Sequence, residues 1–235
     1  MENLVGEENK GMAAMFTMMN NARLAVGMQG VAIAEAATQT AVAYAMGRTQ
    51  GKTPLGNGAI IDHADVRRML GQMRSETFAA RAIGLACAVA IDMGRATSTP
   101  EWQARAALLT PIAKAYGTDI GNEVAYIGVQ VHGGMGFIEE TGAAQYSRDV
   151  RVTSIYEGTN GIQAMDLVAR KMMDGGEAAY RLIDEVEAAA EAARSSQPAL
   201  ATAVWNASEA LREATEALVG QDLNDRFAGS VAYLR

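Results

Sequence analysis

The chain of 235 residues contains one cysteine, four prolines and two histidines, and only 6% of its residues are aromatic. The lone Cys87 excludes an internal disulfide and lies in an apolar run, where a small core residue is expected. A chain without disulfides favours a reducing compartment, so we expect a cytoplasmic protein. No apolar stretch approaches the ~18 uninterrupted residues of a membrane span, and residues 1–10 lack the pattern of a secretory signal.

Basic residues are also in deficit, with 20 Lys and Arg against 27 Asp and Glu, a net charge of −7. Such a surface repels phosphate backbones and anionic lipid, so we expect neither nucleic acid nor a membrane as a partner. A local basic pocket can still bind a phosphorylated ligand. The sequence shows no metal-ligand cluster, nucleophile triad or phosphate-binding loop.

Alanine, methionine, glutamate and leucine abound, and strand-like alternation is nearly absent, which predicts an all-α fold. Apolar residues at helical spacing predict helices over about 11–46, 65–93, 100–131 and 161–173, and two more on either side of SSQP. Long helices joined by short loops bury their apolar faces most simply as an antiparallel four-helix bundle. The last two helices predict an accessory C-terminal helical hairpin.

Composition divides the chain into three parts. We expect residues 1–10 to be a linker, 11–175 the helical bundle, and 176–235 an accessory segment that ends abruptly. Residues 133–160 are rich in glycine and charge and predict an ordered loop or short helices. Such segments often carry function.

Three segments in order, LVGEENKGM (4–12), QVHGGMGF (130–137) and RDVRVTSIYEGTNGIQ (148–163), resemble the carboxy-terminal helical domain of the acyl-CoA dehydrogenase family. NNARLAVGMQGVA followed by YAMGRTQGK is a weaker match. Family members also have an amino-terminal helical domain and a middle β-domain, neither visible here, so we expect part of a longer protein and an inactive isolated chain. The tail resembles that of larger bacterial enzymes similar to 3-methylmercaptopropionyl-CoA dehydrogenase.

The resemblance implies an oxidoreductase that converts acyl-CoA to 2-enoyl-CoA, with Glu157 in IYEGT as the base that removes the α-proton while a hydride passes from the β-carbon to FAD. It implies that the thioester carbonyl is polarised by the backbone N–H of Glu157 and a ribityl hydroxyl of FAD. A free glutamate is too weak for this task, so the site must shield the carboxylate from water. Tyr156 and Gly158 are the implied neighbours of the substrate, and Arg23 the implied positive charge beside the base.

The resemblance also implies two groups of FAD contacts. Thr159 and Gly161 match positions beside the flavin. The positions that match contacts to FAD held by a neighbouring subunit are Arg48, Gln130, Val131, Gly133 and Gly134. Family members have an aromatic residue shortly after this arginine, whereas this chain has Gln50 and Gly51. The implied partners are an acyl-CoA, an electron-transfer flavoprotein and further copies of the chain in a homodimer or homotetramer.

Several of these residues also have an ordinary structural interpretation. Glu157 can be a solvated turn residue, Arg48 a surface arginine, Arg23 an internal ion-pair partner or a residue that snorkels to solvent, and Thr159 a helix cap. His132 is interpreted as a packed histidine, and Arg148 and Arg151 as ion-pair residues. The chain as a whole can instead be a non-catalytic bundle that serves oligomer assembly, a hypothesis that tight, stoichiometric FAD retention by the isolated chain would refute.

Overall fold

The computed structural model describes residues 3–56 and 58–235, apart from the side chain of Asn20, and confirms the predicted all-α class. Within these residues the only strand-like pairing is an isolated bridge between Thr49 and Ala59. The helices are α1 (Gly11–Gly47), α2 (Ala64–Thr97), α3 (Pro100–His132), α4 (Gly134–Phe137), α5 (Ala143–Arg151), α6 (Asn160–Asp166), α7 (Glu177–Ala193), α8 (Pro198–Val219) and α9 (Leu223–Leu234).

The chain divides into two compact units that cut through α2 and α3. The first unit comprises residues 1–86 and 113–159, and the second residues 87–112 and 160–235. The predicted boundaries at residues 10 and 175 remain a prediction. Each unit is described by itself below.

In the first unit, α1 and α3 run parallel and α2 runs antiparallel to α1. Gly27 of α1 faces Ala113 of α3, and Tyr44 stacks on His132 farther along both helices. Arg81 of α2 forms an ion pair with Glu35, whereas Gly84 faces Met28, so the order along α2 is reversed. The core lies between these helices and includes Val31, Met73, Ile120, Val124 and Val150.

Glycines hold α1 and α3 at a distance that excludes side chains. A Cβ atom on Gly30 would lie 2.3 Å from the carbonyl oxygen of Gly117, and one on Gly117 would lie 2.7 Å from the carbonyl oxygen of Gly27. Real Cβ atoms do not approach a carbonyl this closely. The two backbones therefore touch directly, and residues before and after the contact are brought close together.

The second unit contains the predicted hairpin, formed by α7 and α8. Arg212 of α8 donates to Asp184 (2.6 Å) and Glu187 (2.8 Å) of α7. A further helix, α9, begins after Asp222, whose carboxylate caps the backbone N–H groups of Asn224 and Asp225. This helix was not predicted separately. The helix predicted over 161–173 is α-helical only to Asp166, and Leu167–Lys171 continue it as a π-helix.

Helix α2 is long and apolar enough to satisfy the length and hydropathy criteria for a membrane span, with a mean hydropathy of 1.4 over its best window. The prediction from uninterrupted apolar runs missed this window because such a window tolerates up to two charged residues. A long core helix of a soluble protein meets the same criteria, so the observation is weak evidence for a membrane segment.

Candidate active site

Glu157 occupies a backbone conformation that is unusual for its residue type. Residues Val152–Ser154 form a 3-10 turn, after which Glu157 has φ = 56° and Gly158 φ = 83°. The left-handed region costs a non-glycine residue about 1–2 kcal/mol, and strained residues of this kind cluster at functional sites. The chain thus places its predicted base at a strained position, held by its surroundings.

The side chain before Glu157 ties this loop to α1. The hydroxyl of Tyr156 donates a hydrogen bond to Oε1 of Gln29, and the 3-10 turn itself contacts α1. Tyr156 and Ile155 are 38% and 50% exposed, so both apolar surfaces remain accessible beside Glu157. Both side chains can form apolar walls of a substrate site, and Tyr156 is the predicted neighbour of the substrate.

A buried lysine belongs to the same region and was missed from the sequence. Lys114 of α3 is completely buried, and this burial lowers its pKa to about 8. The charges of Asp119 and Glu157 raise that pKa and the charge of Arg23 lowers it, so each of these three groups acts on Lys114. Arg23 is itself only 4% exposed, which rules out snorkelling to solvent.

The other predicted FAD contacts gather at the opposite end of the α1–α3 pair. The Tyr44 ring stacks on His132 with centroids 4.2 Å apart, and Nδ1 of His132 lies 2.7 Å from the carbonyl oxygen of Gly128, which confirms the packed histidine. Arg48 ends α1 one turn after Tyr44, and Gly133 follows His132 in a left-handed conformation (φ = 59°). The segment 130–134 and Arg48 are therefore neighbours.

The residues near Arg48 are exposed in a way that lets a ligand contact the backbone. Arg48, Gln130, Gly133 and Gly134 are exposed, whereas Val131 is buried at 4% exposure. No described atom lies within 4 Å of a Cβ added to Gly133 or Gly134, so their backbone can be approached. These residues fit a polyanionic group, while Val131 supports them from the core.

His63 supplies a ring near the position where the expected aromatic residue is absent. A Cβ on Gly51 would lie 3.9 Å from Cε1 and Nε2 of the imidazole, and Nε2 lies 3.1 Å from the carbonyl oxygen of Gln50. The loop after Arg48 therefore carries an imidazole contributed from farther along the chain.

The two ends of the α1–α3 pair are far apart. Gln29, which bonds the Tyr156 hydroxyl, and Arg48 are separated by nineteen residues of one helix. This corresponds to roughly 28 Å at 1.5 Å per residue. The neighbourhood of Glu157 and the neighbourhood of Arg48 are distinct regions of the first unit.

The remaining predicted residues have simpler surroundings. Thr159 is exposed and immediately precedes α6, as expected for a capping residue, and Gly161 is exposed in the first turn of that helix. Arg148 lies 3.7 Å from Glu139, as predicted for an ion pair, whereas Arg151 donates to the hydroxyl of Ser154. Cys87 is fully buried, and burial raises the pKa of its thiol, so it is a core residue. The described residues contain no group of three or more His, Cys, Asp or Glu suited to a metal ion.

Comparison with known proteins decides the family. The model of the acyl-CoA dehydrogenase C-terminal domain matches residues 9–173. The chain belongs to the acyl-CoA dehydrogenase family. This confirms the resemblance recognised in the three sequence segments.

One relative is similar over nearly the whole chain. The 3-methylmercaptopropionyl-CoA dehydrogenase of Ruegeria pomeroyi is 45% identical and covers 98% of this chain, which spans 42% of that protein. The CarC subunit of the caffeyl-CoA reductase–Etf complex of Acetobacterium woodii is 33% identical over 70% of the chain, which spans 40% of that subunit. The structure of butyryl-CoA dehydrogenase from Megasphaera elsdenii superposes with a TM-score of 0.61 and 31% identity over 71% of this chain and 40% of its own.

The chain therefore spans less than half the length of these acyl-CoA dehydrogenase relatives. The segments that carry Glu157, Arg48 and Gln130 all lie within the residues that the family model matches. Residues 174–235 lie outside the family match, and the Ruegeria pomeroyi relative is similar over nearly the whole chain.

Proposed function

We propose that this chain provides the base-bearing carboxy-terminal part of an FAD-dependent acyl-CoA dehydrogenase, an oxidoreductase that converts an acyl-CoA to a 2-enoyl-CoA. The observation that carries the proposal is the strained left-handed conformation of Glu157, whose charge acts on the buried Lys114 of the same unit. A solvated turn residue does not need this strain. Backbone strain at a carboxylate-bearing residue is typical of a functional site.

In this proposal the Glu157 carboxylate takes the proton from the α-carbon of the thioester. The backbone N–H of Glu157 donates to the thioester oxygen, where negative charge develops as the α-proton leaves. Tyr156, fixed by Gln29, and Gly158 line the substrate. Bound FAD supplies the acceptor for the hydride that leaves the β-carbon. Thr159 and Gly161 match family positions that would contact the bound flavin.

The separation of the two FAD-contacting regions supports an assembly of at least two copies. Arg48 lies roughly 28 Å from Gln29 along α1, so the two groups of predicted FAD contacts do not surround the same end of the cofactor. Arg48, Gln130, Gly133 and Gly134 would thus hold the adenosine and pyrophosphate of FAD bound mainly by a second copy. An exposed guanidinium suits the pyrophosphate because its fork of donors matches phosphate oxygens. We propose a homodimer on this basis, or a homotetramer built from two such dimers.

The proposed electron acceptor is an electron-transfer flavoprotein. Its support is the similarity to CarC, the subunit of a caffeyl-CoA reductase–Etf complex. A cytoplasmic location remains a prediction from the single buried cysteine.

Replacement of the carboxylate tests the proposed chemistry directly. In the complete protein that contains this chain, Glu157→Gln removes the base while keeping the shape of the side chain. We expect turnover of acyl-CoA, measured by reduction of a flavin-coupled dye, to fall by about 10³-fold or more. The exposed Glu140→Gln in the same segment is the matched control and should retain full turnover. Undiminished turnover by Glu157→Gln would contradict the proposal.

A further inference from the structure

We infer that Gln29 is a positioning residue for the proposed base, because its side chain fastens the loop that carries Glu157 to α1. This loop, residues 152–158, is called the Glu157 loop below. The inference rests on the proposed function, since it assigns a role toward that base. Gln29 acts through Tyr156 and is assigned no contact with substrate or cofactor.

A hydrogen bond between two side chains joins the Glu157 loop to a helix far away in the sequence. The hydroxyl of Tyr156 donates to Oε1 of Gln29, which lies 127 residues earlier. Local bonds shape the loop, since the N–H groups of Ile155 and Tyr156 donate to the carbonyl oxygen of Val152 (2.9 and 3.2 Å). The bond to Gln29 adds a specific attachment of the shaped turn to α1.

Gln29 is a fixed anchor because the backbone on either side of it is packed directly against α3. A Cβ on Gly27 would lie 2.4 Å from the carbonyl oxygen of Ala113, and one on Gly30 would lie 2.3 Å from that of Gly117. Gln29 itself lies on the exposed side of α1. Its side chain therefore extends from the most tightly packed segment of the helix to the Glu157 loop.

The position of Tyr156 controls two groups of the next residue. The peptide bond between Tyr156 and Glu157 is planar, so the N–H of Glu157 turns with the backbone of Tyr156. The tyrosine side chain has only two rotatable bonds, so a bond that holds its hydroxyl also restrains its backbone. The N–H proposed to polarise the thioester and the carboxylate proposed to take the proton are thereby both aimed by the bond to Gln29.

The strain of the Glu157 loop explains why an anchor is needed. Glu157 and Gly158 both have a positive φ, of 56° and 83°. A residue other than glycine keeps such a conformation only where its surroundings impose it. Release of Tyr156 gives Glu157 the freedom to relax to a negative φ, and the carboxylate then leaves its proposed place.

The bond is suited to bias the loop rather than to hold the fold together. It lies at the surface, with Tyr156 38% exposed. A hydrogen bond of this kind changes an equilibrium by about fivefold. This is small beside the stability of a whole domain, but it is enough to shift the loop between a docked and a released state.

The first test is hydrogen–deuterium exchange of this chain, which needs neither cofactor nor turnover. Gln29→Met keeps the length of the side chain but removes the acceptor, so the amides of residues 152–158 should exchange about fivefold faster while those of α3 are unchanged. Tyr156→Phe removes the donor and should give the same result. Gln29→Glu keeps an acceptor at the same length and should retain the protection of the parent.

Gln39→Met is the matched control for this test. Gln39 is an exposed glutamine of the same helix, and its amide donates to Glu35 within α1 (2.8 Å). The control should leave the exchange of the Glu157 loop unchanged. Unchanged exchange of the loop in Gln29→Met would overturn the inference, and so would equal acceleration in the loop and in α3, which would indicate a general loss of stability.

The second test is a double-mutant cycle on turnover by the complete protein, normalised to bound FAD. Gln29→Met and Tyr156→Phe should each lower kcat about fivefold, with KM little changed because the ring that lines the substrate remains. The double variant should lose no more than either single variant, since both changes remove one bond. Losses that multiply to about 25-fold would show that the two residues act independently and would overturn the inference.

The two proposals fail separately. Normal turnover by Glu157→Gln sinks the proposed base, whereas the exchange of the Glu157 loop in Gln29→Met still shows whether Tyr156 is anchored. If Glu157→Gln is inactive but Gln29→Met changes neither exchange nor kcat, the role assigned to Gln29 is wrong while the base stands.

Discussion

The contact between α1 and α3 and the hairpin of α7 and α8 pair long helices by opposite means. In the first, the backbones of Gly27, Gly30 and Gly117 touch with no side chain between them, and charged groups beside the contact are buried. In the second, apolar residues of both helices are buried and a long charged side chain bridges the pair, with Arg212 reaching two carboxylates of α7. Arg212 also lies over the ring of Tyr180 at 6.0 Å.

The difference indicates where the molecule tolerates change. A backbone contact fixes the spacing and register of two helices to within a few tenths of an ångström, and any added atom must displace a helix. Long side chains adapt, so a charged hairpin keeps its fold when one partner is lost. The proposed base and Lys114 both lie beside the rigid contact, as expected for groups that must be held in place.

The largest effect should follow from a methyl group inserted in the rigid contact. Gly30→Ala places a Cβ 2.3 Å from the carbonyl oxygen of Gly117 and 2.7 Å from Cα of Thr118, so backbone must move. We expect a loss of about 3 kcal/mol in the free energy of unfolding, measured by urea denaturation and circular dichroism. Gly71→Ala in α2 is the control, since no described atom lies within 4 Å of its Cβ and alanine there should stabilise by about 0.5–1 kcal/mol. Equal stability of the two variants would show that α1 and α3 can move apart to accommodate a methyl group at no cost in free energy.

The next effect concerns the buried charge. The pKa of Lys114 is about 8 in the folded protein and 10.5 in the unfolded chain, so between these values the unfolded state binds more protons and stability rises with pH. Lys114→Met should therefore be more stable than the parent below pH 8, by on the order of 2 kcal/mol, and this advantage should disappear by pH 10.5. Burial raises the pKa values of Cys87 and Tyr233, so these two groups lower the stability as the pH rises. They are present in both proteins, and their contributions therefore cancel in the difference between Lys114→Met and the parent. An advantage that is constant from pH 7 to 10.5 would mean that Lys114 does not change its charge in this range.

Strain at the base should be measurable at about 1 kcal/mol. Glu157→Ala and Glu157→Gly both remove the carboxylate, but only glycine adopts φ = 56° without steric cost. We expect Glu157→Gly to be more stable than Glu157→Ala by about 1 kcal/mol, the reverse of the order found within helices. The measurement is the difference in urea midpoint between the two variants. The same substitutions at Glu140, which has no positive φ, provide the control.

The sequence predicted the long helices closely because their signals are local. The predicted start at Pro100 is the observed first residue of α3, and the helix predicted over 11–46 is observed as Gly11–Gly47. Helix α9 was missed although Asp222 is a recognisable cap, since twelve residues after a glycine carry little periodicity. Helical spacing alone does not distinguish α-helix from the π-helix over Leu167–Lys171.

The site was predictable only in part. Glu157 and Arg23 were predicted because the residues on either side of each of them match family motifs. Lys114 lies 43 residues before Glu157, and only the tertiary fold lets the charge of Glu157 act on it. The one local signal was a lysine in the middle of a predicted core helix. The left-handed conformation of Glu157 has no sequence signal of its own. Gly158 marks a turn here, but a glycine alone does not show that the residue before it also has a positive φ.

The smallest effect should come from the adaptable hairpin. Arg212→Met keeps much of the aliphatic length that covers Tyr180 but removes the charge that meets Asp184 and Glu187. Side-chain ion pairs near the surface contribute little and are screened by salt, so we expect a small drop in Tm at low salt that vanishes at about 1 M NaCl. The effect of Gly30→Ala should persist at high salt, because a steric overlap is not screened. A salt-independent loss in Arg212→Met as large as that of Gly30→Ala would show that the hairpin is as rigid as the glycine contact, and the contrast between the two regions would then be lost.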